Sequence, residues 1–214
     1  MFRDRIEAGQ RLAVELERYR DCAGGVILAI PRGGVVVGLQ ISLGLRLPLD
    51  VLITRKIGAP DNPELAVGAL SETGSLHLNH ELLSFFPSPA SLEQERRHQE
   101  EEISRRRAVY REGRPLPPLG GRTVILVDDG VATGATYSAS VHALKAAGVS
   151  RLVAALPLAP PDTADKIARQ VDDCVILESP WPFFAVGEHY QNFGQVDDME
   201  VVRCLAQALR PESS

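Results

Sequence analysis

The chain is poor in the residues that mark several protein classes, and each shortage removes one of them. Of its 214 residues only three are cysteines, Cys22, Cys174 and Cys204. They show no metal-ligand spacing and cannot all pair, which fits a reducing, cytoplasmic setting. There is no run of about 18 apolar residues and no amino-terminal apolar segment behind cations, so neither a membrane span nor export is expected. Cations do not dominate: 23 lysines and arginines face 28 acids, a net charge of −5, which argues against a general nucleic-acid-binding surface. Two phosphate signatures are also missing. No strand is followed by G-x-G-x-x-G, and no G-x-x-x-x-G-K-[ST] occurs because Ala135 stands where its lysine would be, so dinucleotide binding and nucleoside triphosphate hydrolysis lose ground. Aromatics are scarce at 5%, yet Trp181, Phe183, Phe184, Tyr190 and Phe193 crowd into one glycine-broken stretch, more than a single strand needs.

What is present alternates between strand and helix. Periodicity predicts helix 3–20, strand 26–30, helix 35–45, strand 51–56, strand pieces at 65–71 and 76–78, strand 123–128, helix 136–147, strand 151–156, helix 162–171, strand 174–178 and helix 198–209. Such alternation implies a single α/β domain over 1–214, an open and mostly parallel sheet with helices on both faces. An insertion at about 84–118 interrupts it. Its charged part, 91–114, interleaves seven arginines with glutamates and ends at Pro115-Leu-Pro-Pro118; Leu92, Ile103 and Tyr110 fall on one helical face. An arginine helix reading RNA is one interpretation. A salt-bridge-laced helix lying on the domain or on a partner subunit is the plainer one, since acids are interleaved and no aromatic platform accompanies them.

The most informative stretch is Thr123-Val-Ile-Leu-Val-Asp128-Asp129-Gly130-Val131-Ala132-Thr133-Gly134-Ala135-Thr136. Its apolar start suits a strand covered on both faces, and its carboxyl end is where ligands bind in an open α/β sheet. A helix opening there offers unpaired N–H groups to a phosphate. Gly130 and Gly134 let the backbone approach, and Thr133 and Thr136 add hydroxyls. Adjacent Asp128 and Asp129 would repel a phosphate but accept hydrogen bonds from vicinal hydroxyls, so a phosphorylated pentose matches both chemistries. In isolation the same residues also serve as a helix cap and a tight turn.

This segment resembles the PRPP-binding motif of type I phosphoribosyltransferases, where a hydrophobic strand runs into two acids and a short loop ends in Thr-Gly-x-Thr. Gly130 departs from the apolar residue usual after the acids, a change expected to loosen the loop. The resemblance implies that Asp128 and Asp129 bind ribose hydroxyls while 130–136 cradle the 5-phosphate. Two further segments follow the family's order. Val26-Ile-Leu-Ala-Ile30 breaks at Pro31-Arg32-Gly33-Gly34, which looks like the pyrophosphate loop, with Arg32 supplying charge; a plain strand-to-helix turn with an exposed arginine is the alternative. Asp50 to Glu64 runs into Arg55-Lys56 and a Gly/Pro/Asn-rich stretch that resembles the family's mobile catalytic loop, although two solvated cations at a strand end read the same way.

By the same resemblance, 1–23 and 180–214 form a hood over the anomeric carbon, with Trp181, Phe183 and Phe184 as stacking candidates for an acceptor. Packing of these rings on the sheet is equally compatible with the sequence. Members acting on 6-oxopurines carry an aspartate three places after the second acid, where this chain has Ala132. At that place it is closer to adenine and orotate enzymes, without their acceptor signatures, so an acid or base would come from elsewhere, Glu72 and Glu188 being examples. The overall pattern is similar to a group of bacterial proteins described only as predicted phosphoribosyltransferases.

The expected activity is transfer of a 5-phosphoribosyl group from PRPP to a nitrogen acceptor such as a nucleobase. Mg²⁺ would be held mainly through PRPP, with no confident protein ligand. The expected partners are PRPP and a small acceptor, with homo-oligomerisation possible. A PRPP-responsive regulator without turnover and a PRPP-consuming enzyme with a phosphate or small amine acceptor are the competing readings. The histidines add little. His77 and His80 would point to opposite faces of a strand, and His98, His142 and His189 read as isolated positions.

Overall fold

In the computed structural model the described residues are 1–208, apart from the side chains of 63, 64, 66 and 80. The side chain of His80, expected to point away from His77, and the last residues of the expected hood therefore lie outside the described residues. Strands β1 (Gly25–Ala29), β6 (Thr123–Val127) and β7 (Arg151–Leu158) are apolar on successive residues, a pattern that is stable only when both faces are covered. With β2 (Leu49–Val51) and β8 (Asp173–Glu178) they form a five-stranded parallel sheet in the order β2-β1-β6-β7-β8. Its register places Ile27 against Ile125 and Ile125 against Val153.

Strand alternation then divides the core. Ile27, Ile125 and Val153 face one side, packed with Leu12 of α1 (Arg5–Glu15), Ile41 of α2 (Gly33–Leu45) and Val201 of α6 (Asp198–Gln207). Leu28, Leu126 and Leu152 face the other, with Tyr137 and Leu144 of α4 (Ala135–Ala146) and Ile167 of α5 (Pro161–Ala168). Helices cover both faces, as the alternation implies. No helix among the described residues is long and apolar enough to cross a membrane.

Two elements differ from expectation. The first helix stops at Glu15, and a 3-10 turn occupies 17–19. The expected strand 51–56 is two strands: β2 ends at Val51, the buried Leu52 and Ile53 turn the chain, and β3 (Thr54–Ala59) joins a separate antiparallel sheet with β4 (Asn62–Ser71) and β5 (Leu76–Leu78). The corner is held by Leu52 N–H on the Ala29 carbonyl at 3.0 Å and Ile53 N–H on Glu72 Oε1 at 2.8 Å. The segment expected as an open loop after Lys56 is thus a hairpin whose turn is Pro60-Asp61.

The insertion contains α3 (Pro89–Arg111), opened by a Ser88–Ser91 capping box. Ile103 and Tyr110 are buried and Leu92 packs partly against the same core. The outer face is laddered: Arg96 and Arg97 on Glu93, Arg96 on Glu100, and Arg105 and Arg106 on Glu102. These exposed pairs contribute little stability, but they tie up the arginines that an RNA-reading helix would present.

The end of α3 is fixed more firmly. Arg111 is 4% exposed; its Nε lies 3.2 Å from Asp50 Oδ1 and its Nη2 bonds Glu72 Oε2. Glu72 is therefore a structural acid, not a free proton carrier. Burial pushes the Asp50 carboxyl upward, with Arg111 opposing that push. Removing the cation strands two buried carboxylates, so Arg111→Ala should cost about 3–5 kcal/mol by denaturant unfolding. A loss under about 1 kcal/mol would mean that the triad behaves as an exposed pair.

Candidate active site

The site is built on the carboxyl end of β6. Ile30 N–H donates to the Val127 carbonyl at 2.8 Å, and Tyr137 OH donates to the Leu126 carbonyl at 2.8 Å, so β1, β6 and α4 are tied together where the acids begin. Beyond them the loop is closely packed. Gly130 has φ +147°, and a Cβ there would lie 2.8 Å from Val186 Cγ1 and 3.1 Å from Leu158 Cγ. The departure from an apolar residue therefore meets a steric requirement, beside the expected loosening. Val131 N–H donates to the Leu158 carbonyl at 3.1 Å, and Thr163 Oγ1 donates to the Ala132 carbonyl at 2.8 Å.

Gly134, at φ +74°, opens α4 without any side-chain cap. The first-turn amides of Ala135, Thr136 and Tyr137 gather at the positive helix end, where the exposed Thr133 Oγ1 accepts a long 3.5 Å bond from the Ala135 N–H. That is an anion seat.

The second loop abuts the first. Arg32, Gly33 and Gly34 begin α2, likewise uncapped by a side chain, after a cis peptide between Pro31 and Arg32. A Cβ on Gly33 would fall 1.9 Å from Asp129 Oδ2, and one on Gly34 would fall 2.9 Å from Asp128 Cα. Only glycine permits this approach, so two motifs almost a hundred residues apart share one surface. Burial raises the Asp128 carboxyl well above its ordinary value, the neighbouring charge of Asp129 raises it further, and the Asp129 N–H donated to Asp128 Oδ1 at 2.9 Å works against both.

Other expected residues sit further out. Arg32 Nη1 is 3.8 Å from Asp198 Oδ1, a carboxylate that also binds Tyr110 OH and Arg105 Nη1. Arg55 donates to Gln99 Oε1 at 2.9 Å; burial first, then Arg106, lowers its guanidinium below the ordinary value. Arg55 and Lys56 line a cleft of about 660 Å³ between β3 and α3, and no contact among the described residues joins them to the acids. Phe183 packs with Phe2, Leu158 and Tyr190 and stacks on His189 at 5.1 Å, whereas Trp181 and Phe184 are 80% and 75% exposed. Glu188 is exposed. His142, expected to be isolated, stacks on His77 at 4.5 Å.

Two residues that sequence reasoning passed over reach the acids. Arg5 Nε donates to Asp129 Oδ2 at 2.7 Å, and Tyr190 OH donates to the Asp129 carbonyl at 2.6 Å. The amino terminus is joined to the tail by Phe2 N–H on the His189 carbonyl and Gln191 N–H on the Phe2 carbonyl, both 2.8 Å. A cation in the first turn of an amphipathic helix carries no signal that distinguishes it from a solvated one.

The model of the phosphoribosyl transferase domain matches residues 4–192, a span holding both loops and both acids. The chain belongs to that family. Relatives in two Mycobacterium tuberculosis strains, named "Putative phosphoribosyl transferase MT0597" (CDC 1551 / Oshkosh) and "Putative phosphoribosyl transferase Rv0571c" (ATCC 25618 / H37Rv), are each 42% identical over 211 residues. The alignment covers 98% of this chain and 47% of theirs, so the chain spans about half the length of the curated relatives it matches. The crystal structure of TT1426 from Thermus thermophilus superposes with a TM-score of 0.81 at 39% identity, covering 97% of this chain and 99% of that one. This phosphoribosyl transferase domain therefore has the type of sheet and loop arrangement that its motifs imply.

The acid pair carries a stability cost. A carboxyl raised in the folded state holds its proton there at pH values where the unfolded chain has lost it, so stability falls as pH rises from the ordinary aspartate value through the raised one. Each unit of elevation costs about 1.4 kcal/mol once pH exceeds both values. Asp128→Asn should raise the melting temperature at pH 7–8 and flatten its decline between pH 4 and 8. A lower melting temperature at pH 8 would show that the burial cost is misassigned.

Proposed function

We propose that this phosphoribosyl transferase domain moves the 5-phosphoribosyl group of PRPP to a nitrogen acceptor, probed best as a nucleobase, with release of pyrophosphate. The observation that carries the reading is the abutment of the glycines at 33 and 34 with the acids at 128 and 129. It sets the start of α2 against the acids that lead into the α4 loop, a surface that suits a ligand with hydroxyls between anionic groups.

In this reading the amides and hydroxyls of 130–136 hold the 5-phosphate, and Asp128 and Asp129 accept the ribose hydroxyls. The amides of Gly33 and Gly34, with Arg32, hold the pyrophosphate. Amides and a cation stabilise the leaving group as charge builds on it, and the nearby carboxylates stabilise the oxocarbenium-like sugar. Arg55 and Lys56 ride on the β3–β4 hairpin, so their part requires that the hairpin close as a unit over the pyrophosphate and exclude water.

Among the described residues no group of three or more His, Cys, Asp or Glu could hold a metal ion. The oxygen donors present suit Mg²⁺ only when PRPP supplies most of its ligands. When bound, the ion would neutralise charge on the pyrophosphate. The free faces of Trp181 and Phe184 are the acceptor-stacking surface in this reading, and Phe183, packed on His189, is left out of it. With Ala132 exposed in the loop and Glu72 bound to Arg111, no acid there handles the acceptor's proton, which favours acceptors other than 6-oxopurines. The regulator reading has less support because α3's arginines are engaged by their own glutamates. We place the reaction in the cytoplasm.

Incubation with PRPP, Mg²⁺ and pooled nucleobases should release pyrophosphate only when an acceptor is present. Tight PRPP binding without any acceptor-dependent release would favour the regulator. PRPP at a hundred times its Kd should add about 2.7 kcal/mol of stability. The double substitution Asp128→Asn with Asp129→Asn should abolish that gain, and an unchanged gain would discard the assignment of the acids.

A further inference from the structure

Arg5 is the one cation in direct contact with the acid pair among the described residues, and it arrives from outside both loops. Its Nε binds Asp129 Oδ2 at 2.7 Å, its Nη1 donates to the Gly194 carbonyl at 2.7 Å, and its guanidinium lies over the Phe193 ring at 3.8 Å from the centroid. Both partners of the ion pair are largely shielded, at 11% and 15% exposure. The group also lies beside the second loop, close enough that a Cβ on Gly33 would fall 2.9 Å from Arg5 Nε. One side chain therefore meets the acid, the pyrophosphate-side loop and the tail.

We propose that Arg5 is a positioning residue for phosphoribosyl binding: clamped by Phe193 and Gly194, it fixes the orientation of Asp129 so that the acid pair is ready to accept the ribose hydroxyls. The inference rests on the PRPP reading of the site. Its physical basis is that two adjacent, poorly solvated carboxyl groups repel each other's charge, and a fixed cation 2.7 Å from Asp129 offsets that repulsion. Arg5 engages one oxygen of Asp129, so the other retains its acceptor capacity for a hydroxyl. A guanidinium suits this place because it can stack on a ring and donate in two directions at once, which an ammonium cannot do.

The charged and titratable groups around the pair are Arg5 from α1, Asp128 and Asp129 themselves, and Tyr190 from the tail, with Glu178 of β8 acting on Tyr190 from further away. Burial holds the Tyr190 phenol far above its ordinary value, so it stays neutral through the working range. The charge of Arg5 opposes the upward push on Asp128. With Arg5 gone, Asp128 ionises less readily, and the acid limb of any process that needs its carboxylate moves to higher pH.

The test measures PRPP affinity, in Mg²⁺, by calorimetry from pH 5 to 9 for the wild type, Arg5→Met, Arg5→Lys, Asp129→Asn and the Arg5→Met/Asp129→Asn double variant, with melting temperatures alongside. Loss of a charge-assisted hydrogen bond should weaken PRPP binding about tenfold to a hundredfold in Arg5→Met and shift its acid limb upward. Arg5→Lys should recover part of the affinity and most of the pH profile, and the double variant should bind no worse than Asp129→Asn. A purely structural arginine would lower the melting temperature while leaving affinity and pH profile where they were, and that result would overturn the proposal. Wild-type protein that binds no PRPP at any pH would instead sink the PRPP reading and take this inference with it.

Discussion

Two carboxylates placed side by side at the end of a buried strand repel each other, and much of the surrounding structure can be understood as what makes that arrangement tolerable. The acids lie where β6 leaves the core, beside amides that begin two helices and against a guanidinium from a third. Charge separation of this kind suits a ligand that is itself divided, with neutral hydroxyls between anionic groups. Much of the geometry is fixed without the ligand: Gly130 wedged against Val186 and Leu158, and Thr163 bonded to the Ala132 carbonyl, leave the loop little to rearrange. A site of that sort avoids spending binding energy on ordering its own backbone.

The joined termini and the insertion support the same point from different directions. The amino-terminal strand of backbone around Phe2 and the tail around Tyr190 exchange hydrogen bonds, so Arg5 and Tyr190 approach the acid from one joined unit. On the far side, α3 reaches the edge strand β2 through Arg111, Asp50 and Glu72, a buried triad that anchors the insertion at the corner where the two sheets diverge. Asp198, at the start of α6, draws Arg32, Arg105 and Tyr110 onto one carboxylate and so connects that insertion to the second loop.

The central elements were legible because their physics is local. Val124 to Val127 can only be a doubly covered strand, and the change to helical periodicity after Gly134 marks α4. What the sequence concealed was long-range or steric. Nothing between Val51 and Thr54 is a glycine or proline, so the chain's passage from one sheet to another left no local mark; it depends on Glu72 accepting from Ile53, nineteen residues away in sequence. Gly130 read as a loosening because its neighbours Val186 and Leu158 come from elsewhere in the chain. The aromatic cluster was found by residue type, but type could not say which rings reach the acids: Tyr190 meets Asp129 and the partly exposed Phe193 meets its arginine, while Trp181 and Phe184 face solvent. Arg5 was hidden for the same reason, being one cation on an amphipathic helix until tertiary packing placed it on Asp129.

The most direct measurement is a crystal structure of the protein with PRPP and Mg²⁺ bound. The account predicts the ribose hydroxyls within hydrogen-bonding distance of Asp128 and Asp129, the 5-phosphate on the first-turn amides of α4 and the pyrophosphate against Gly33 and Gly34. A sugar lodged elsewhere, or acids that stay bonded only to protein groups while the ligand is bound, would contradict it.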